Sequence, residues 1–159
     1  MIAHALAGRH VVLTGVTGFL GKVWLVMLLD RFPDVGRVTV LVRGGSAGAL
    51  RRFEGIAERS PCFRPLRERH GAGLGEFLGE RVEVLEADLT REGCGLDPAA
   101  RASLASADLF VHCAGITDFD PDPKKALATN VDGAVRVAEL AEAADAPMLH
   151  VSTCYVAGV

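Results

Sequence analysis

The chain has 159 residues, 50% of them hydrophobic and 23% charged, a composition typical of one soluble globular domain. Its net charge of −3 provides no overall positive field, so nucleic acid is not an expected partner. The four cysteines are Cys62, Cys94, Cys113 and Cys154. Because their spacing fits neither a metal site nor a small disulfide framework, we expect free thiols, no metal ion and a reducing compartment, the cytoplasm.

The first predicted elements are a buried strand and the helix that follows it. Residues 9–14 (RHVVLT) form a short β-branched run, and helix formers extend over residues 18–31, with Pro33 beyond their end. The apolar stretch over residues 11–29 is interrupted by glycines and by Lys22, so it does not predict a transmembrane helix.

Later elements alternate between strands and helices. The remaining strands are predicted over residues 37–43, 81–87, 108–113 and 148–152. Asp122 and Pro123 are typical of a helix start, and that helix extends to about residue 144. The alternation predicts an α/β fold, a Rossmann-type doubly wound parallel sheet with strand order 3-2-1-4-5.

The segment between the second and third strands is too long for a simple crossover. Short helices are predicted over residues 49–53 and 63–70, and residues 71–75 are predicted to be a loop. Because the sequence shows no internal repeat and no linker, residues 1–159 are predicted to form one domain.

The strongest functional signal is the glycine-rich turn over residues 14–21 (TGVTGFLG). Glycines at this spacing allow a tight turn, close approach of backbone to a pyrophosphate, and close packing of helix on sheet. The turn follows a strand and opens a helix whose free N–H groups and dipole favour phosphate, so it predicts a dinucleotide site. The predicted contacts are Gly15, Thr17, Gly18, Phe19, Leu20 and Gly21.

The end of the second strand indicates which dinucleotide is bound. NAD enzymes usually place an acid there for the ribose hydroxyls, whereas the 2′-phosphate of NADP calls for arginine. Residues 37–52 contain no acid, and Arg43 stands at the strand tip, where its guanidinium can bind a phosphate in bidentate fashion. The sequence therefore favours NADP(H), against the alternative that Arg43 is a solvated surface arginine.

Residues at the ends of the third and fourth strands complete the predicted cofactor site. Asp88, with Leu89 beside it, either meets the adenine amino group or caps its own turn at Thr90. Small residues after the fourth strand let the backbone lie along the cofactor, and these are Cys113, Ala114 and Gly115.

Candidate catalytic groups lie in the long helix and after the fifth strand. Asn130 is an unusual helix former, so a kink, a hydrogen-bonded water or a structural role are all open. Ser152 and Thr153 end the fifth strand, where they either cap the chain or hydrogen-bond a carbonyl oxygen beside a nicotinamide. His112 and His150 are predicted to be sheet-facing core histidines rather than ligands or bases.

These motifs together resemble the extended short-chain dehydrogenases/reductases, and within them the fatty acyl-CoA reductase (male sterility) branch with its thioester reductase domains. The matching stretches cover nearly all of the chain in order: LTGVTGFLGKVWL, VTVLVRG, SPCFRPLRERHG, VEVLEADLT, LFVHCAGITDFD, ATNVDGAVRVAELA and HVSTCYVAG. The resemblance implies reduction of a fatty acyl thioester, bound to CoA or to a carrier protein, to an aldehyde or alcohol with hydride from NADPH.

Positions that match the family imply roles for individual residues. The three glycines would hold the pyrophosphate, Arg43 the 2′-phosphate, and Asp88 the adenine. Thr153 matches the catalytic Ser/Thr, with Ser152 as the fallback. Asn130 matches the helix asparagine of the family.

One departure from the family concerns its Tyr-x-x-x-Lys proton donor. Tyr155 is followed by Val159 at the lysine position, and Tyr155 instead matches the STxYV stretch. We therefore expect the pair to lie downstream, and the chain to be an N-terminal NADP(H)-binding segment truncated after the fifth strand and inactive alone. The exposed edge of that strand would then be open to self-association.

Two other functions remain open at this point. An NAD-dependent sugar-nucleotide epimerase or dehydratase shares the glycine motif, but Arg43 and the insert after it argue against that enzyme. A non-catalytic dinucleotide-binding module would suit the missing lysine, although truncation explains it more simply.

Overall fold

The computed structural model describes residues 2–152 and contains one parallel sheet with helices on both faces. The strands are β1 (His10–Thr14), β2 (Arg37–Val42), β3 (Val82–Glu86), β4 (Leu109–His112) and β5 (Met148–His150). Their order is β3-β2-β1-β4-β5, and every neighbouring pair is parallel. The predicted Rossmann-type topology is confirmed.

One helix precedes the first strand, and the others connect successive strands. They are α1 (Ile2–Leu6), α2 (Phe19–Arg31), α3 (Gly48–Arg59), α4 (Arg64–His70), α5 (Leu74–Arg81), α6 (Pro98–Leu104), α7 (Pro123–Ala126) and α8 (Asp132–Ala143). A π-helical turn, Leu127–Val131, joins α7 to α8. The predicted helix start at Asp122 is confirmed, because its carboxylate accepts the amides of Lys124 and Lys125. Within residues 2–152 no helix is long and apolar enough to cross a bilayer.

The prediction of a loop over residues 71–75 is wrong in its second half. Gly71–Gly73 forms a 3-10 turn, and α5 begins at Leu74. Leu74 and Leu78 lie one helical turn apart, and both are buried in the core. Their packing stabilises α5 although it contains Gly75 and Gly79, and glycine disfavours a helix.

The two faces of the sheet differ in chemistry. The face against α2 to α5 is apolar along β1 and β2, where Val11, Leu13 and Val40 are fully buried. The face against α6 and α8 mixes apolar and polar residues, with Val12 and Phe110 packed under the helices. Four polar side chains are buried on this second face: Thr39 beside Val12, His10 at the amino end of β1, and Thr14 and His112 in one row at the carboxyl ends of β1 and β4.

Candidate cofactor site

A cleft of about 510 Å³ opens above the carboxyl ends of β1 to β4, where the order of the strands reverses at β1. Open α/β sheets bind ligands at such a switch point. The predicted cofactor residues that line the cleft are Gly15, Thr17, Gly18, Arg43, Asp88, Leu89, Cys113, Ala114 and Gly115. Lining residues that the sequence did not predict include Thr14, Arg52, Lys125 and Thr129. The fold thus joins segments that are far apart in the chain.

The turn after β1 presents backbone to the cleft. Gly15 has a φ of +78°, and a Cβ there would lie 2.5 Å from the carbonyl carbon of Cys113. Gly18 donates its N–H to the Gly15 carbonyl at 2.9 Å and opens α2 without a side-chain acceptor. The first N–H groups of α2 therefore have no intrahelical partner, and they fit an anionic phosphate.

Three predicted residues of the glycine motif do not line the cleft. Phe19 and Leu20 lie on the first turn of α2, where their side chains are 75% and 47% exposed. Gly21 is buried against Gly15, with no room for a Cβ. Gly21 thus serves the close packing of helix and turn, and the side chains of Phe19 and Leu20 lie outside the cleft.

Two arginines meet at the end of the cleft next to β2 and α3. Arg43 follows β2, Arg52 lies on α3, and both line the cleft. Arg52 Nη1 donates a hydrogen bond of 2.7 Å to the Arg43 carbonyl oxygen, which holds the two residues together. Among residues 2–152 neither guanidinium has a carboxylate partner. Two guanidinium groups without a direct salt bridge therefore lie at this end of the cleft.

Asp88 caps its own turn, one of the two roles expected for it. Asp88 Oδ1 accepts the Thr90 N–H at 3.0 Å and the Thr90 hydroxyl at 2.7 Å. The hydroxyl bond is the main reason why the pKa of Asp88 lies below its usual 3.8, and Arg43 and Arg91 add to it. Since Asp88 also lines the cleft, capping and a contact to a ligand are compatible.

A pair of hydrogen bonds joins β1 to β4 beside the cleft. Thr14 Oγ1 lies 2.6 Å from His112 Nδ1, and it also accepts the Ala114 N–H at 3.3 Å. His112 is fully buried, which confirms its prediction as a core histidine. Burial, and secondly the nearby His150, lower the pKa of His112 to about 4.

The prediction of His150 as a core histidine is wrong. His150 stacks on His112 with ring centroids 5.0 Å apart, but its own side chain is exposed. β5 is the outer strand of the described sheet, so its side chains have neighbours on one side only.

Asn130 holds the loop after β4. Its Oδ1 accepts the Ile116 N–H at 2.7 Å, and its Nδ2 donates to the Ile116 carbonyl at 2.9 Å. Asn130 lies in the π-helical turn, so a kink and a structural role, two of the expected possibilities, are both present. The loop held in this way includes Gly115, where a Cβ would lie 3.3 Å from Asn130 Oδ1.

The predicted catalytic hydroxyls lie at the limit of the described chain. Ser152 is exposed just after β5. Thr153, Cys154 and Tyr155 lie outside residues 2–152, so the catalytic role of Thr153 stays a prediction. Within the described part, Cys62, Cys94 and Cys113 carry free thiols, and no group of His, Cys, Asp and Glu could hold a metal ion.

Comparison with known proteins gives one family. A sequence profile of the male sterility protein family matches residues 13–159. Fatty acyl-CoA reductase 8 of Arabidopsis thaliana is 31% identical over 161 residues, which cover 98% of this chain and 32% of that protein. Fatty acyl-CoA reductase 1 of Gallus gallus is 33% identical over 153 residues, which cover 93% of this chain and 28% of that protein.

The fold comparison agrees with the sequence comparison. The crystal structure of a nonribosomal peptide synthetase reductase domain from Mycobacterium tuberculosis matches with a TM-score of 0.73 and 31% identity. The match covers 96% of this chain and 36% of that one. The chain therefore spans about a third of the length of these relatives.

Proposed function

The chain belongs to the male sterility protein family, and on this premise we propose that the whole protein reduces fatty acyl thioesters with NADPH. Residues 1–159 would supply its cofactor-binding domain. The observation that carries the proposal is the cleft itself, in which a glycine turn and two unpaired arginines face one cavity. The names of the relatives, fatty acyl-CoA reductases and a peptide synthetase reductase domain, support an acyl thioester as substrate.

The glycine turn would bind the pyrophosphate. The close approach of Gly15 to Cys113 leaves backbone rather than side chains along the cleft, and the first amides of α2 would donate to the phosphate oxygens. Asp88 and Leu89 would contact the adenine from the end of β3. When bound, NADPH supplies the hydride for reduction.

Arg43 and Arg52 would select NADPH over NADH. Each could donate to the 2′-phosphate, and neither has to give up an ion pair within the described residues to do so. The acid that would repel a phosphate and bind ribose hydroxyls is absent from residues 37–52.

Other residues would act on the thioester or position the site. The Thr153 hydroxyl would donate a hydrogen bond to the thioester carbonyl oxygen as it gains negative charge, with Ser152 as the alternative donor. The downstream Tyr-x-x-x-Lys would protonate that oxygen. Asn130 would be a positioning residue, because Ile116 occupies both its donor and its acceptor.

The decisive experiment uses the complete protein with a long-chain acyl-CoA and NADPH. Loss of NADPH absorbance should accompany release of CoA and formation of an aldehyde or alcohol, identified by mass spectrometry. Thr153→Ala should bind NADPH normally and lose most of the rate. If NADPH binds but neither acyl-CoA nor a carrier-bound acyl group is reduced, the protein is a binding module and the reductase proposal is wrong.

A further inference from the structure

The loop that carries the two arginines is attached to β3 by one carboxylate. Glu86 ends β3 beside Val42 of β2, and the N–H of Ala87 donates to the Val42 carbonyl at 3.0 Å. From this position Glu86 Oε2 accepts the N–H of Ala49, in the first turn of α3, at 3.3 Å. The β2–α3 loop is thereby tied to the neighbouring strand.

The start of α3 has no cap of its own. Ala47 precedes the helix without a side-chain acceptor, and the first turn contains no acid. Helix N-termini leave N–H groups unsatisfied and favour negative charge, so Glu86 supplies from β3 what the local sequence lacks.

The glycines of the loop make room for this carboxylate. A Cβ at Gly44 would overlap the Glu86 carboxylate, and a Cβ at Gly48 would lie 3.9 Å from its Oε2. At Gly45, between them, a Cβ would meet nothing within 4 Å. The carboxylate therefore lies over Gly44 and against the helix start, in contact with backbone.

The arginines depend on this arrangement in two ways. Arg43 directly precedes Gly44, and Arg52 reaches the Arg43 carbonyl from the first turns of α3. Glu86 pairs with neither guanidinium, so both charges stay available in the cleft. A shift of the loop or of the helix start would separate Arg52 from Arg43.

We infer that Glu86 is a positioning residue for cofactor selectivity, because it holds the β2–α3 loop and the start of α3 where Arg43 and Arg52 converge on the 2′-phosphate of NADPH. This inference rests on the proposed NADPH preference. Electrostatic repulsion would act in the opposite direction: a carboxylate near the site repels a phosphate, so its removal would tighten NADPH binding if repulsion dominated. The two effects predict changes of opposite sign.

The test compares dissociation constants for NADPH and NADH in the complete protein. Glu86→Gln keeps an oxygen acceptor and removes the charge, whereas Glu86→Ala removes both. Gly44→Ala displaces the carboxylate by a different route, and Gly45→Ala is its matched control because that position is open. Affinity for NADH serves as the readout for general damage, since the glycine turn is unchanged in every variant.

We expect Glu86→Ala and Gly44→Ala each to weaken NADPH binding by about two- to fivefold and to leave NADH binding unchanged. Glu86→Gln keeps the acceptor but loses the charge that favours the helix start, so it should weaken NADPH binding less than Glu86→Ala does, and Gly45→Ala should match the wild type. The inference is overturned if Glu86→Ala leaves NADPH affinity unchanged or raises it. If the wild-type protein shows no preference for NADPH, the proposed cofactor is wrong, whereas a preference that survives Glu86→Ala contradicts only the role of Glu86.

Discussion

Thr14 Oγ1 lies 2.6 Å from His112 Nδ1, and this contact joins the two strands between which the cleft opens. The same oxygen accepts the Ala114 N–H, so one hydroxyl binds both the side chain and the following backbone of β4. Thr14 is 1% exposed, so its hydroxyl forms these hydrogen bonds within the protein rather than with bulk solvent. This buried hydroxyl thus helps to hold the backbone that follows β4 along one wall of the cleft, together with Asn130, which binds both backbone groups of Ile116.

Thr14→Val should lower the free energy of unfolding by about 1–3 kcal/mol, because it removes the partner of the buried His112 Nδ1 and of the partly buried Ala114 N–H while keeping the shape of the side chain. NADPH affinity should fall as well, since the Ala114 amide is released. Thr14→Ser keeps the hydroxyl and should lose less stability and less NADPH affinity than Thr14→Val. Chemical denaturation of the three proteins checks this, and equal stability of Thr14→Val and wild type would contradict it.

The buried histidine predicts how stability depends on pH. The pKa of His112 falls from 6.5 to about 4 on folding, so the unfolded chain binds more protons between these values. The contribution of His112 to the free energy of unfolding is therefore fully present above pH 6.5 and is lost as the pH falls toward 4. Burial also lowers the pKa of His10, so His10 likewise reduces the stability of the fold as the pH falls. Asp88, whose pKa lies below 3.8, loses its contribution only at lower pH.

His112→Gln should reduce the slope of stability against pH in this window, by up to about 1.4 kcal/mol per pH unit. His4→Gln, at an exposed position on α1, is the control and should keep the wild-type slope. Denaturant midpoints measured from pH 7.5 to 4.5 decide the question. Parallel curves for His112→Gln and wild type would show that His112 is protonated equally in both states.

Gly15→Ala should abolish dinucleotide binding and destabilise the fold by about 1–3 kcal/mol. Gly15 has a positive φ, and an added Cβ would meet backbone atoms of Cys113 and Ala114 that have no freedom to move aside. Gly45→Ala adds the same methyl group to open space and should change neither property. Calorimetric titration with NADPH and thermal melts test both variants, and normal binding by Gly15→Ala would refute the proposed pyrophosphate site.

The strands could be predicted from sequence because their signals are local, and their order then follows from the handedness of crossovers in parallel sheets. Each strand is a short apolar run, and the glycine turn lies directly between a strand and a helix. The same local reasoning could have found α6, since Asp97 and Pro98 repeat the pattern of Asp122 and Pro123, and Asp97 does accept the Ala100 N–H.

The parts of the site that escaped prediction depend on contacts distant in sequence. Arg52 enters the cleft because Glu86 and Arg43 fix the start of α3. The side chains of Phe19 and Leu20 stay outside because of the direction in which α2 leaves the turn, and position in the motif does not reveal that direction. His150 is exposed because β5 is the outer strand of the described sheet, a property of the topology.

Arg52→Ala should weaken NADPH binding about tenfold or more, the usual effect of losing a charge-assisted contact to phosphate. NADH binding should stay the same. Arg51→Ala removes an equal charge from the neighbouring position, where the side chain is exposed, lies near Glu54 and does not line the cleft. Fluorescence titrations at two salt concentrations compare the variants. If Arg51→Ala and Arg52→Ala lose equal NADPH affinity, the effect comes from the overall charge, and a specific contact between Arg52 and the phosphate is contradicted.

The β5 edge predicts the solution behaviour of residues 1–159 expressed alone. Leu149 and Val151 are 49% and 37% exposed there, beside backbone groups of an outer strand. Such edges pair with other chains, so we expect self-association that rises with concentration. Leu149→Lys should reduce it, as charged residues do on natural edge strands. A monomer at all concentrations in analytical ultracentrifugation would contradict this prediction.

Variants of Asn130 can show whether this residue has a positioning role or a catalytic one. Its amide uses both Oδ1 and Nδ2 on Ile116, so Asn130→Ala should release the loop after β4. Asn130→Asp keeps the size of the side chain but replaces the donor to the Ile116 carbonyl by a second oxygen, which repels it. Both variants should lower the free energy of unfolding by about 0.5–1.5 kcal/mol, since Asn130 is exposed, and should weaken NADPH binding, because Gly115 and Ile116 line the cleft.

The kinetic pattern then decides the role. If Asn130 acts only through the loop, saturating NADPH should restore most of kcat in the complete protein, and the main change should be in KM for NADPH. A group that touches the reacting atoms would instead lower kcat at every cofactor concentration. A variant that binds NADPH with wild-type affinity and has lost its kcat would therefore contradict the positioning role and place Asn130 among the catalytic residues.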